Sequence, residues 1–156
     1  MKDSIEIAYY KSPIGILKIS ADEKGITGID FVKKEDKSIQ DSSSKIIQDC
    51  IKQLDEYFQG RRKSFDLKLN PAGTEFQRRV WKELLKIPYG KTLSYGDISK
   101  RIKNKSAVRA VGQAIGKNPI SIVIPCHRVI GSDGSLTGYA SGLWRKKWLL
   151  KLEGVL

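Results

Sequence analysis

The hydrophobic period changes partway along this chain, and that change limits the folds open to it. Ile5 to Tyr10 alternates loosely, Ile16 to Ser20 alternates again, and Ile26 to Val32 keeps the same spacing of two. Ser12-Pro13-Ile14-Gly15 and Glu23-Lys24-Gly25 separate these runs with turn residues, so a three-stranded meander is predicted. Lys33 to Ser44 is polar and reads as a loop. From Lys45 the spacing becomes helical: Ile47, Cys50, Leu54 and Tyr57/Phe58 share a stripe that Gly60 closes. Cys50 on that stripe is a small buried hydrophobe. Ser64 to Leu69 is expected to add a short strand, and Asn70-Pro71-Ala72-Gly73 a linker. Residues 1–72 therefore read as a small α/β domain, and residues 73–156 as a second domain.

That second domain is mostly helical. Thr74-Glu75-Phe76-Gln77 fits a capping box, and Phe76, Val80, Trp81, Leu84 and Leu85 give the helix behind it a buried face. Ile87-Pro88-Tyr89-Gly90 stops it. Ser94 caps a second helix with Asp97 in its first turn, Lys103 to Lys105 forms a basic turn, and Ser106 caps a third helix through Lys117. Two short helices across a tight turn suggest a helix-turn-helix. On the third helix Val108, Val111 and Ile115 are assigned to the core, while Arg109, Gly112, Gln113 and Gly116 share another face. Two glycines there fit either a groove that must approach closely or close helix packing.

Charge separates the two domains further. Residues 1–72 hold 13 basic and 12 acidic side chains, whereas residues 73–156 hold 16 basic and 5 acidic. A formal net charge of +12 concentrated in one half points to a polyanion, most simply nucleic acid. Two cysteines and one histidine cannot build a disulfide framework or a zinc site. No apolar run is long enough to span a membrane, and Met1-Lys2-Asp3-Ser4-Ile5-Glu6 lacks the apolar stretch of a secretory signal. A soluble cytoplasmic protein is expected.

Ile120 to Ile130 is the segment richest in chemistry. Its β-branched start predicts a buried strand, which Pro125 ends just before Cys126, His127 and Arg128. A thiol attacks as its thiolate, and a neighbouring base or cation promotes that form. Neighbours in a strand point to opposite faces, so a relay through one water is favoured over a direct Cys–His bond unless the chain turns. Taken alone, such a pair is better read as a buried thiol beside an incidental polar residue.

The context alters that balance. Pro125-Cys126-His127-Arg128-Val129 resembles the active-site signature of the O6-alkylguanine-DNA alkyltransferase (methylated-DNA–protein-cysteine methyltransferase) family. The resemblance extends through Phe76-Gln77-Arg78-Arg79-Val80-Trp81, Ile87 to Gly96, Arg109-Ala110-Val111-Gly112, Asn118-Pro119 and Gly138 to Leu143, and from Leu149 to Gly154. It covers nearly all of residues 73–156 in one register, and residues 1–72 chiefly in length and layout. It implies a small RNase-H-like α/β domain followed by a helical, winged-helix/helix-turn-helix-type DNA-binding domain that carries the reactive Cys.

By the same resemblance the protein is a single-turnover DNA-repair methyltransferase. Cys126 takes the alkyl group from O6-alkylguanine, with O4-alkylthymine left open. His127 is its base, Glu153 orients and charge-balances the imidazole, Tyr95 helps rotate the nucleotide and protonate the purine, and Asn118 braces the turn. Arg109 fills the stack vacated by the flipped base. Val129, Tyr139, Ala140 and Ser141 belong to the substrate pocket, and Gln77, Gly96, Asn104 and Ser132 are weaker DNA contacts. Some family members have Ser where Ala140 stands, and Gly is common where Ser141 stands, which narrows the pocket. The resemblance implies no cofactor and no metal, because the zinc site of some relatives cannot form with the sole His at position 127. Double-stranded DNA is the expected partner and a monomer the default. Two other readings stay open: a lesion-binding module without transfer, and a sequence-specific regulator resting on the helix-turn-helix alone.

Overall fold

The computed structural model describes residues 5–156, and of Lys105 only the backbone. Met1 to Ser4, in the stretch read above as free of a signal sequence, lie outside the described residues. Contacts gather into two compact units, Met1–Ala72 and Gly73–Leu156.

In the first unit β1 (Glu6–Ser12), β2 (Gly15–Asp22) and β3 (Gly25–Val32) form an antiparallel meander, in the order of the chain. The register pairs Ala8 with Ile19 and Ile19 with Ile29, so the three stand in a row on one face, fully buried. Helix α1 (Lys45–Phe58) packs on the sheet with its stripe of Ile47, Cys50, Leu54 and Tyr57, also fully buried. The strand expected over Ser64–Leu69 does not form; a single parallel bridge joins Leu69 to Ile26. The cause is local. Gln53 on α1 takes both backbone groups of Asp66, accepting from its N–H at 2.8 Å and donating to its carbonyl at 3.0 Å. Backbone groups satisfied by a side chain leave nothing for a ladder.

The second unit is built on α2 (Glu75–Leu85), α3 (Tyr95–Arg101) and α4 (Val108–Gly116), which pack on one another. Full capping boxes open α2, through Thr74 and Gln77, and α3, through Ser94 and Asp97. Val80, Trp81 and Leu84 are buried, and the Trp81 indole N–H donates to the Ala114 carbonyl at 2.8 Å. Leu85, expected on that face, is 45% exposed, one helical step of about 100° beyond Leu84. Phe76 is half-buried.

Two expectations for the third helix also fail. Ser106 does not cap it: the hydroxyl donates to Asn104 Oδ1, and a 3-10 turn over Lys105–Ala107 delays α4 to Val108. Val108, now in the first turn at the rim of the core, is 43% exposed, and Val111, Ala114 and Ile115 carry the buried face.

The run after α4 is buried but is not a strand. Ile120, Ile122, Val123 and Ile124 all lie inside, yet Ile122 has φ of 74° and the backbone bonds are local, Val123 N–H to Ser121 and Ile124 N–H to Ile120. Asn118 takes the place of a ladder, accepting from Ile120 N–H at 2.9 Å and donating to the Ile124 carbonyl at 2.8 Å. Cys126–Arg128 is one 3-10 turn, after which β5 (Val129–Ile130) pairs in parallel with β4 (Leu93–Ser94). Helix α5 (Leu143–Leu152) packs behind that turn.

Gln53→Ala strips two partners from the Asp66 backbone at once. Chemical denaturation is expected to show a loss of about 1 kcal/mol, the net worth of hydrogen bonds that water can replace at the exposed Asp66.

Candidate active site

Cys126 opens the 3-10 turn at the base of a cleft and is 9% exposed. Gly116, Asn118, Gly138, Tyr139, Ala140 and Ser141 are among the residues that line the cleft. Its volume is about 30 Å³, room for water but not for a purine. Gly116 has open space where a Cβ would stand, and Gly112 faces the Tyr95 ring at ordinary contact distance. The two glycines thus divide the readings given them, one bordering a cleft and one packing against a helix. Two larger clefts on the first unit are lined by surface side chains such as Lys11, Lys34 and Asp36, or Glu23, Asp49 and Asp66, and neither has Cys or His in its lining.

The turn aims the imidazole away from the cleft's outer surface and into the protein. His127 is fully buried, with Nε2 2.7 Å from Glu153 Oε2. Glu153, the C-cap of α5, also accepts from Arg128 Nε at 2.8 Å and Arg128 Nη2 at 3.0 Å. A carboxylate gripped by a guanidinium fork can only accept, so His127 Nε2 carries the proton and Nδ1 is left as the basic nitrogen. Nδ1 is buried and has no hydrogen-bond partner. Arg128 is held in turn by the Ile87 carbonyl at 2.7 Å and lies over the Tyr89 ring, with 5.8 Å to the centroid.

Burial and charge oppose each other at these groups. Burial pushes the Cys126 thiol above its ordinary value, while the Asn118 amide and the Lys146 ammonium pull it back. Burial also holds His127 below its ordinary value, against the pull of Glu153, so the resting imidazole is neutral. Lys146 is brought down to about 8 by burial, opposed by Cys126. Its Nζ donates to the carbonyls of Val129 and Thr137 from inside the unit. Tyr139 is raised well above its ordinary value, first by burial and then by Cys126, and its hydroxyl is buried without a partner.

Sequence reasoning assigned no role to Arg128 or Lys146. Arg128 stood inside the quoted motif, where its adjacency to His127 was the available signal. Lys146 lies in Arg145-Lys146-Lys147, a run indistinguishable by composition from a solvated face.

The other candidates scatter as follows. Tyr95 opens α3 and donates its hydroxyl to the Thr137 carbonyl at 3.2 Å, next to the wall of the cleft. Arg109 is exposed on α4 along with Gln113 and Gly116. Val129 does not line the cleft; it is buried in β5, and its carbonyl anchors Lys146. Gln77 is occupied by its capping box, Asn104 accepts from Ser106, and Gly96 lies in the first turn of α3. Ser132 is exposed beyond β5. Among the described residues no three His, Cys, Asp or Glu side chains cluster to hold a metal, and no helix is long and apolar enough to cross a membrane.

Fold and site together define a class: a small α/β unit joined to a helix-turn-helix unit whose buried thiol sits beside a His–Glu–Arg network. Comparison with known proteins narrows it. Residues 5–71 match the family model of the 6-O-methylguanine DNA methyltransferase ribonuclease-like domain, and residues 75–155 match that of its DNA binding domain. The chain is 51% identical to the methylated-DNA–protein-cysteine methyltransferase of Methanosarcina acetivorans, over 94% of this chain and 97% of that protein. It is 43% identical to the protein of the same name from Haemophilus influenzae, over 94% and 85%. The crystal structure of Mycobacterium tuberculosis O6-methylguanine methyltransferase superposes with a TM-score of 0.86 at 42% identity, covering 96% of this chain and 93% of that one. A structure of Mycobacterium tuberculosis OGT in complex with DNA gives 0.85 at 43%, covering 96% and 91%. This chain belongs to the O6-methylguanine DNA methyltransferase family.

Two pH effects follow from the site. The unfolded chain protonates His127 near its ordinary 6.5 but the folded chain only at lower pH, so stability is whole above 6.5 and is lost as pH falls from there. Urea midpoints between pH 7.5 and 5 should show this decline, and His127→Gln should flatten it. Iodoacetamide should label Cys126 slowly at pH 7 and faster as pH rises through its elevated value, with the site located by peptide mapping. Cys50, pushed up to about 12 by burial, should stay unlabelled.

Proposed function

We propose that this protein repairs double-stranded DNA by transferring the alkyl group of O6-alkylguanine irreversibly to Cys126. One observation carries the reading beyond family membership. Glu153, locked by Arg128, fixes the His127 tautomer and leaves a bare, buried Nδ1 one residue from the thiol.

In the proposed step the Cys126 proton passes through a water to His127 Nδ1, and the imidazolium so formed is balanced by Glu153. Lys146 opposes the charge of the thiolate. The sulfur then forms a bond to the alkyl carbon as the carbon–O6 bond breaks, and the electron pair leaves with the guanine. The purine takes a proton from Tyr95, whose hydroxyl stands at the wall of the cleft. Displacement of this kind needs a thiolate, a proton donor and alignment. The thioether product offers water no carbonyl to attack, so each chain acts once.

The thiol lies inside a cleft, so the damaged nucleotide must leave the duplex to reach it. Arg109, exposed on α4, is suited to fill the gap, and Asn118 keeps the segment leading to Cys126 in place. Backbone groups of Ala140 are assigned to the base edge, while Val129, whose N–H and carbonyl are taken by Cys126 and Lys146, supports the turn from behind. Tyr139 and Ser141 are assigned to the wall, and Gln77, Gly96, Asn104 and Ser132 to weaker groove or phosphate contacts. The 16 basic and 5 acidic side chains of residues 73–156 favour any duplex through its phosphates. One thiol and one DNA-binding unit make the monomer sufficient.

Incubation with an O6-methylguanine duplex should add one methyl per chain by intact mass, mapped to Cys126. A methyl on any other residue overturns the assignment. Tight lesion binding with the methyl still on the DNA would instead make the protein a recognition module. His127→Ala should slow single-turnover transfer by about 100- to 10,000-fold, the usual range for a lost general base. Affinity for undamaged duplex should fall steeply with added salt.

A further inference from the structure

We infer that Arg145, held flat against Trp144, sets the aperture of the Cys126 cleft and thereby the size of group that reaches the thiol. The part concerning alkyl groups rests on the function proposed above; the aperture itself does not.

The wall of the cleft facing Cys126 is a short irregular segment with a glycine of positive φ at each end, Gly138 at 59° and Gly142 at 109°. Such backbone is natural for glycine and strained for other residues, so these two positions are where the segment bends. Between them one turn bond, Gly142 N–H to the Tyr139 carbonyl, keeps its shape. Its leading end is tied firmly, because Tyr95 and Lys146 both donate to the Thr137 carbonyl. Its trailing end enters α5 through the Arg145 and Lys146 N–H groups, which donate to the Gly142 carbonyl, and Arg145 Nη1 adds the side-chain tie, donating to the Ser141 carbonyl at 2.7 Å.

Arg145 is seated for that task. Its guanidinium carbon lies 4.6 Å from the centroid of the Trp144 ring, and Trp144 is 56% exposed. A large apolar ring left in water at the start of α5 is accounted for as a platform for this cation. Gly142 leaves the indole uncrowded: a Cβ there would stand 3.2 Å from Trp144 Cδ1 and 3.3 Å from Nε1. Trp144, Gly142, Arg145 and Ser141 thus form a closed circuit of contacts that fixes the wall. The cavity behind it, about 30 Å³, holds no purine, so any base that reaches the thiol displaces the wall, and the larger the group it carries the further Ser141 must move against the Arg145 bond.

The test compares small and bulky reagents on the whole protein. One pair is iodoacetamide against a bulky aromatic maleimide, read at Cys126 by peptide mapping. The other is O6-methylguanine against O6-benzylguanine in single-turnover transfer. Arg145→Ala and Trp144→Ala should each raise the bulky-to-small rate ratio about tenfold, the effect of losing one hydrogen bond from a charged donor. Arg145→Lys, which keeps the charge but not the planar fork, should behave like Arg145→Ala. Trp144→Phe, which keeps a ring face, should retain the parent ratio. An unchanged thiol-reagent ratio in Arg145→Ala, or equal ratios for Trp144→Phe and Trp144→Ala, overturns the inference. A shifted thiol-reagent ratio in a protein that removes no alkyl group supports the aperture and overturns the proposed function instead.

Discussion

A carboxylate taken wholly out of water is tolerable only when its charge is met from several sides, and Glu153 meets that demand through Arg128, His127 and a longer contact from Gly90 N–H at 3.4 Å. These partners come from the 3-10 turn and from the turn after α2, while Glu153 itself ends α5. The Glu153 carboxylate therefore fastens the end of α5 to two turns that lead into the paired strands β4 and β5. Removing one partner of the Glu153–Arg128 ion pair leaves a bare buried charge, a loss of about 3–5 kcal/mol. The same pair fixes the proton on His127. Architecture and chemistry here share one interaction.

The thiol works against its surroundings. Burial disfavours its charged form, and so holds it unreactive toward solutes. Asn118 and Lys146 favour the thiolate, the first through a hydrogen bond and the second through its charge. A nucleophile that can be used only once gains from being quiet at rest. The irregular segment from Asn118 to Pro125 serves that end, because it buries four apolar side chains while leaving Cys126 at the start of a turn instead of within a ladder.

The charged half and the reactive half are the same half. Helices α2 and α3 begin with side chains that accept their first free N–H groups. Arg109, Gln113 and Gly116 lie on the outer face of α4, and Gly116 borders the cleft.

What the residues announced by themselves was local. The meander, the α1 stripe, the capping box at Thr74 and the cap at Ser94 were legible because each depends on side chains within four positions of one another. The Cys126-His127-Arg128 sequence marked the chemistry for the same reason. Its meaning was not local: Glu153 lies 26 residues from His127, and Lys146, in a run that reads as solvent-facing, turns inward to two carbonyls. Ile120 to Ile124 was misjudged because burial, which composition reports, does not say which partners satisfy the backbone. Gln53 and Asn118 took backbone groups that a strand would have used, and hydrophobic spacing does not report which backbone groups a polar side chain takes. The sequence alone determined where helices and turns begin and which half carries the charge. Tertiary packing decided which nitrogen of His127 is basic and how wide the cleft stands, because both depend on groups brought together only when the chain is folded.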